Sequence, residues 1–284
     1  MKLNKKLSLL LLLVTTTALL AQERDVSKWI EIPCPKDPQS AEGALWFYRA
    51  NYSTNEWRVF RDNQAVCAML KTKTNLVTGE VPKFTPETGK FRRVAASLKV
   101  ADGWLVGFNH GEWGGALYWF SPDGTEKYEI SKGNIVDFIQ ASNRIFAISG
   151  LAHLGLSEGS ILSISQSSNQ TPWQITNRWR LPQAPEVVIQ HPDGDLLIAL
   201  SDSFVSVTLD GKIKTIVKEG RWGSLYPFSM VLSGDARTAY VGMRQFVAKV
   251  TLKNGRVSFL VPDRSYLNQL PKEEEDRIRK IYGK

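Results

Sequence analysis

The chain has 284 residues, of which 43% are hydrophobic and 23% are charged. This length and composition suit one large folded domain and do not indicate an intrinsically disordered chain. The formal net charge is +8. It falls to +5 without residues 1–21, which carry three lysines and no acidic residue. The other basic residues are scattered, so nucleic acid is not a predicted partner.

The first 21 residues have the pattern of a secretory signal peptide. Three lysines within Met1–Lys6 precede an uncharged, mostly apolar run that ends near Ala21. The run is shorter than the roughly 20 apolar residues that a spanning helix needs, although a retained membrane anchor is the alternative. We expect cleavage after Ala21 and export to the periplasm or the extracellular space, with no membrane span in the mature chain.

Two cysteines, Cys34 and Cys67, remain after that cleavage. An exported protein meets an oxidising compartment, so an even pair favours one disulfide. The bond would close a loop of about 34 residues and contribute about 3–4 kcal/mol in the chain-entropy model. The alternative is two buried thiols.

The strongest pattern in the chain is a repeat of short segments that each begin at a turn and then alternate apolar and polar residues, as strands do. The segments are Asp102–Asn109, Ser142–Ser149, Asp193–Leu200 and Asp235–Gly242, and their starts lie 40, 51 and 42 residues apart. A second set follows them: Ala116–Gly124, Ser160–Ser165, Phe204–Gly211 and Val247–Gly255. Three of that set end on Asp-Gly or Asn-Gly, which suits tight hairpin turns.

A further strand-like run precedes and follows each pair of segments, so each repeat is predicted to have four strands. Four-stranded repeats of about 40–45 residues are typical of β-propeller blades. Dividing residues 45–262 by the mean interval predicts about five four-stranded blades, with six as the alternative if the N-terminal region contains more strands. That region offers strands at Ala44–Asn51, Trp57–Arg61 and Ala65–Lys71. Trp29–Ile32 is the candidate strand that completes the blade formed by the other end of the chain.

The turns Ser121-Pro-Asp-Gly124, His191-Pro-Asp-Gly194 and Leu209-Asp-Gly211, with the alternating strands beside them, resemble the WD40-like and NHL-like β-propeller superfamily. The resemblance covers roughly residues 94–262. It implies an all-β propeller and no particular function, because propellers include enzymes, binding proteins and scaffolds.

The last residues differ from the repeats. Pro271 suits the start of a helix, acidic residues follow it, and basic residues come near the end, as the helix dipole favours. We expect a short helix with an apolar stripe, and a frayed tail is the alternative. The predicted domains are a signal peptide (1–21), a propeller (22–265) and a helical tail (266–284). The stripe comprises Leu267, Leu270, Ile278 and Ile281.

Loops that join second to third strands, and loops that join successive blades, emerge on one face of a propeller. We call them the rim loops. The first kind gives residues 109–115 and 150–159, where His110 and His153 lie one repeat apart and are predicted to occupy matching positions. Arginines suit anionic groups and tryptophans suit stacking. The predicted ligand-binding residues are Arg93, Asn109, His110, Glu112, Trp113, His153, Glu158, Arg221, Trp222 and Tyr226.

Two functions compete on this evidence. The first is an exported, non-enzymatic protein that holds a protein or glycan at the rim, with no cofactor. The second is a metal-dependent, lactonase-like hydrolase, because imidazole and carboxylate are ordinary zinc ligands. Its available carboxylates are Glu112, Asp137, Glu158 and Glu186. A purely structural role for the histidines and glycines of these loops is the remaining alternative.

Overall fold

The computed structural model describes residues 24–71, 82, 94–167 and 171–283. The predicted signal peptide and Arg93 lie outside them. The chain forms two compact units. The central unit is residues 72–227, and the terminal unit combines the chain up to residue 71 with the chain from residue 228.

The described residues contain nineteen strands and two α-helices, in chain order as follows. They are β1 (Ile30–Ile32), α1 (Ala41–Asn51), β2 (Trp57–Asp62), β3 (Ala65–Leu70), β4 (Val94–Val100), β5 (Gly103–Asn109), β6 (Gly115–Phe120), β7 (Lys127–Lys132), β8 (Ile135–Ala141), β9 (Arg144–His153), β10 (Leu156–Ser165), β11 (Gln174–Leu181), β12 (Pro185–Gln190), β13 (Leu196–Leu200), β14 (Phe204–Val207), β15 (Ile213–Val217), β16 (Ser229–Leu232), β17 (Thr238–Gly242), β18 (Val247–Thr251), β19 (Arg256–Val261) and α2 (Lys272–Tyr282). None of these helices has the length and apolarity to cross a bilayer.

The central unit consists of three antiparallel sheets of four consecutive strands each: β4–β7, β8–β11 and β12–β15. The second strand is almost entirely buried in the first sheet and buried at every position in the third, whereas β9 of the second sheet is buried only in its middle, at residues 146–149. A strand covered on both faces has a continuous apolar run instead of alternation. The fourth strand of each sheet, by contrast, is largely exposed. Two apolar clusters join neighbouring sheets, one between the first and second and one between the second and third.

The Asp-Gly turns hold these sheets at the end away from the rim loops. In the first sheet, Asp123 Oδ1 accepts hydrogen bonds from the Ser121 hydroxyl at 2.6 Å and from the Thr125 amide at 3.1 Å. Gly124 follows at φ +77°, where a side chain is disfavoured. These bonds lower the pKa of Asp123 to about 2. The predicted four-stranded blades and their turns are therefore confirmed.

The terminal unit holds a fourth sheet of the same kind, β16–β19, and the short hairpin β2–β3. Strand β1 pairs antiparallel with β19, with Ile30 opposite Val261. The predicted closing strand, Trp29–Ile32, thus pairs with a sheet formed by the other end of the chain and becomes the fifth strand of that sheet. The fold is all-β and propeller-like, and its five sheets comprise three with four strands, one with five and one with two.

The strand predicted at Ala44–Asn51 was wrong, because this segment is helix α1. Ser40 Oγ caps the helix by accepting the Gly43 amide at 3.1 Å. Its apolar face packs on α2, where Ile278 is 1% exposed. The predicted C-terminal helix is thus confirmed, although Ile281 is 56% exposed and lies outside its buried stripe. The boundary at residue 265 stays a prediction.

The predicted disulfide is also absent. Both cysteines lie in the described part of the chain, and no bond joins them there. Cys67 is buried in β3, where its backbone bridges to Asp25. From Asp25 the chain continues into β1, which pairs with β19, before it reaches Cys34. Burial raises the pKa of the Cys67 thiol.

Candidate functional site

The loop between β5 and β6 is a 3-10 turn, Gly111–Trp113, that leaves an indole in solvent. Trp113 is 82% exposed. Gly111 and Gly114 adopt φ +64° and +87°, conformations that glycine reaches without strain. Asn109 Oδ1 accepts the Gly111 amide at 3.0 Å, and the His110 amide donates to the Gly114 carbonyl at 2.8 Å. The exposed indole therefore stands on a hydrogen-bonded turn.

A residue of the next rim loop braces this turn. Asn134 is 7% exposed, and its Nδ2 donates to the Gly111 carbonyl at 2.7 Å. Its Oδ1 accepts the His110 amide at 3.3 Å. Both ends of the buried amide are thus used to fix the loop that carries Trp113. Asn134 was not among the residues predicted from the sequence, where it is one more polar loop residue after β7.

A second contact joins this turn to the neighbouring sheet. His153 Nε2 lies 2.7 Å from Glu112 Oε2, and each side chain is 41% exposed. His153 is the last residue of β9, because the β9–β10 hairpin is longer than expected. The predicted loop 150–159 is wrong: only Leu154 and Gly155 form the turn, both at positive φ. Two such residues suit a tight hairpin turn.

The two histidines do not occupy matching positions. The first strand of each sheet has a bulge, which gives a common reference point. The residue before the bulge lies opposite Phe108 in β5 and opposite Ser149 in β9, so these two residues are equivalent. His153 therefore lies two residues further along its strand than His110 does. The buried His110 Nε2 has no hydrogen-bond partner in the described part of the chain.

Of the carboxylates available to a hydrolase, only Glu112 contacts a histidine, His153, among the described residues. Within the described ranges, no group of three or more His, Cys, Asp or Glu side chains could hold a metal ion. Asp137 lies in β8 and Glu186 in β12, the first strands of their sheets. Burial raises the pKa of Asp137, and it raises that of Glu186 to about 7.

Beside the braced turn lies a cavity of about 340 Å³ between the first and second sheets. Its walls include Gly114 and Asn134 from the braced region, and Glu158 from β10. Glu158 is exposed, and its side chain forms no hydrogen bond or ion pair with a described residue. The cavity also has three cationic side chains that the sequence analysis did not identify: Lys132, Arg178 and Arg180.

Trp222, a predicted contact residue, is instead a core residue. It is 0% exposed, and its Nε1 donates to the Leu200 carbonyl at 2.9 Å. Asp202, in the β13–β14 turn, organises the loop around it by accepting the amides of Trp222 at 3.0 Å and Gly223 at 3.2 Å. Burial raises the pKa of Asp202, while these hydrogen bonds oppose the rise.

Arg221 and Tyr226 flank the buried Trp222 in the same loop. Both adopt positive φ, at +62° and +54°, and the Tyr226 side chain is 51% exposed. Their loop follows β15 of the third sheet, whereas Glu112 and His153 lie at the first and second sheets. The predicted site residues therefore form one group at the first two sheets and a second group at the third sheet.

No family model and no curated protein matches the chain. Solved structures with a similar fold include virginiamycin B lyase from Staphylococcus aureus, at 13% identity and a TM-score of 0.39, over 58% of this chain and 54% of the lyase. The chain thus spans about half the length of that lyase. An extracellular domain of a protein named as a hybrid two-component system from B. thetaiotaomicron matches at 11% identity and a TM-score of 0.43, over 73% and 28% of the two chains.

A protein named as a 6-phosphogluconolactonase from Bacteroides uniformis matches at 8% identity and a TM-score of 0.40, over 75% of this chain and 70% of that one. Such likenesses concern the fold alone. The assignment of propeller-type blades therefore depends on the order and pairing of the strands described above.

Proposed function

We propose that the protein is exported and acts as a non-enzymatic binding protein, whose rim loops in the central unit hold a protein or glycan. The observation that carries this proposal is the exposed indole of Trp113 on a braced turn. Large exposed aromatics are costly to leave in water and are enriched among residues that dominate binding energy. A purely structural turn does not need an indole in solvent.

The support around Trp113 suits binding because it limits the conformational entropy that is lost when a ligand binds. Asn134 fixes the backbone of the turn from one side, and the contact between His153 and Glu112 fixes it from the other. A contact residue held before binding loses less conformational entropy on binding. The proposed surface therefore consists of Trp113, Glu112, His153 and the adjoining cavity wall at Glu158.

Export is supported by the basic and apolar pattern of residues 1–21. Expression with and without this segment, followed by cell fractionation and N-terminal sequencing, tests it. We expect an exported product that begins at Gln22. An unprocessed product retained in the cytoplasm would contradict export without affecting the rim surface.

Binding is tested with an array of neutral and acidic oligosaccharides. A photoreactive residue at position 113, followed by mass spectrometry of the adducts, covers protein ligands. Trp113→Ala should weaken any binding detected on the array at least tenfold. The matched control is Ile213→Ala, because Ile213 is a half-exposed apolar residue on β15 of the same unit. Equal affinities of the wild-type protein and Trp113→Ala for every bound probe would refute the proposed surface.

A further inference from the structure

The cavity between the first two sheets brings together three cations that have no partner. Lys132, Arg178 and Arg180 are exposed, and none forms a hydrogen bond or an ion pair through its side chain with a described residue. Their side chains line the same space as Glu158. Arginine in particular presents a planar set of donors that matches a carboxylate or sulfate.

The sheet register explains why both arginines face this space. In β11, Arg178 lies opposite Leu162 and Arg180 lies opposite Ser160, both on β10. Alternate residues of a strand point to the same face, and Leu162 belongs to the apolar cluster between the first and second sheets. The two arginines therefore lie on the same face of the second sheet as that cluster, on the outermost strand of the sheet. Lys132 completes the group from the end of β7 in the first sheet.

The remaining wall of the cavity suits a ligand with hydroxyl groups. Ser149 and Ser160 line the cavity, and the unpaired Glu158 offers carboxylate oxygens that can accept hydrogen bonds. Gly133 also lines the cavity, and because it has no side chain its backbone is open to close approach. Trp113 precedes Gly114 at the edge of the cavity and offers a flat apolar face.

We propose that this cavity binds an acidic oligosaccharide, with a carboxylate or sulfate of one sugar held by Arg178 and Arg180 and the hydroxyls of that sugar or its neighbour donating to Glu158. The assignment rests on the proposed binding function and names its ligand class. An acidic peptide such as poly-glutamate fits less well, because its side chains have no hydroxyl groups that could donate to Glu158. The volume lies at the lower end of the range for small-ligand sites, which suits one or two sugar rings.

The test measures binding of oligogalacturonate, a sulfated oligosaccharide and a neutral oligosaccharide of equal length by isothermal titration calorimetry. The variant is Arg178→Gln/Arg180→Gln. The matched control is Lys214→Gln/Lys218→Gln, which removes the same charge from exposed lysines elsewhere in the central unit. A third variant, Arg178→Lys/Arg180→Lys, keeps the charge and removes the planar donors. All of these side chains are exposed, and circular dichroism checks that each variant is folded.

We expect an acidic oligosaccharide to bind at least tenfold more tightly than the neutral one. Affinity for the acidic oligosaccharide should fall at least tenfold in Arg178→Gln/Arg180→Gln and less than twofold in the control variant. The Arg178→Lys/Arg180→Lys variant should lose an intermediate amount of affinity. The relative affinity for oligogalacturonate and the sulfated sugar identifies the anionic group. Equal losses of affinity in the Gln and control variants would show non-specific charge attraction and overturn the proposed site. Tighter binding of a poly-glutamate peptide than of any sugar would show that the ligand is an acidic peptide.

The same experiment separates this inference from the proposed function. Binding of neutral and acidic sugars with equal affinity, lost in Trp113→Ala, would overturn the acidic ligand and keep the binding surface. Binding that depends on the arginines and is unchanged in Trp113→Ala would keep the cavity and overturn the role given to the indole. If no sugar binds, the assignment of the cavity is wrong.

Discussion

Replacing Glu186 by Gln tests the burial of an ionisable group in the first strand of the third sheet. Glu186 lies at the bulge of β12, where the pairing with β13 shifts between Pro185 and Val187. Its carboxylate has no hydrogen bond or ion pair with any described residue, and burial raises its pKa from 4.5 to about 7. Desolvation penalises the charged form, which Gln lacks.

The expected effect depends on pH with a definite sign. Below pH 4.5 the carboxyl is protonated in both the folded and the unfolded chain, so it costs nothing. As the pH rises through 4.5 the unfolded chain releases the proton first, and the folded state loses stability until the pH passes about 7. At about 1.4 kcal/mol per pH unit, the full loss is about 3 kcal/mol. Glu186→Gln should therefore match the wild type at pH 4 and exceed its free energy of unfolding by up to about 3 kcal/mol at pH 8.

Urea unfolding followed by tryptophan fluorescence, at several pH values between 4 and 8, measures this difference. The denaturant slopes of the two proteins should agree, so that the midpoints report stability. The stability difference between Asp123→Asn and the wild type should have the opposite sign, because hydrogen bonds lower the pKa of Asp123 to about 2. That variant should lose stability relative to the wild type above pH 4, and the loss should shrink as the pH falls toward 2. A difference between Glu186→Gln and the wild type that is constant from pH 4 to pH 8 would refute the burial argument.

Three further substitutions test the positions of side chains by urea unfolding. Trp222→Ala should lower the free energy of unfolding by about 3–5 kcal/mol, because removal of a fully buried indole leaves a cavity. Trp113→Ala should change it by less than about 0.5 kcal/mol. Similar losses in the two variants would contradict the assignment of Trp222 to the core and of Trp113 to the surface. Asn134→Ala should cost about 1–3 kcal/mol, because it removes the bonds to the His110 amide and the Gly111 carbonyl. Hydrogen exchange at His110 and Gly111 should rise, and unchanged exchange would show that Asn134 does not brace the turn. Ile278→Ala should cost about 2–4 kcal/mol, and a neutral result would show that α2 does not depend on α1.

The blade-type sheets could be predicted from the sequence because their signals are local. The turn at Asp123 is closed by bonds within five residues, and the strands beside it are recognisable by composition alone. Helix α1 was missed because Trp46, Phe47 and Tyr48 favour strands by propensity. The contact that favours a helix is made with α2, more than 220 residues later in the chain. Ser40 was the one local signal of a helix start.

The site was predicted less completely, because position along the chain does not determine exposure. Trp222 lies in a loop, yet Asp202 from a separate hairpin holds that loop over the core and buries the indole. Arg178 and Arg180 alternate on an outer strand, where charged residues normally face solvent. Only the pairing with β10 shows that they border a cavity shared with Lys132.

The pairing of β1 with β19 has a consequence for how this protein is made. Ile30 can meet Val261 only after about 230 further residues have been synthesised, whereas the three central sheets each join neighbouring stretches of chain. Until then β1 lacks its partner strand, and an unpaired strand edge is of the kind that invites pairing with other chains. The sheet in the terminal unit is thus the last to be completed, and it is where premature release or truncation would first promote aggregation.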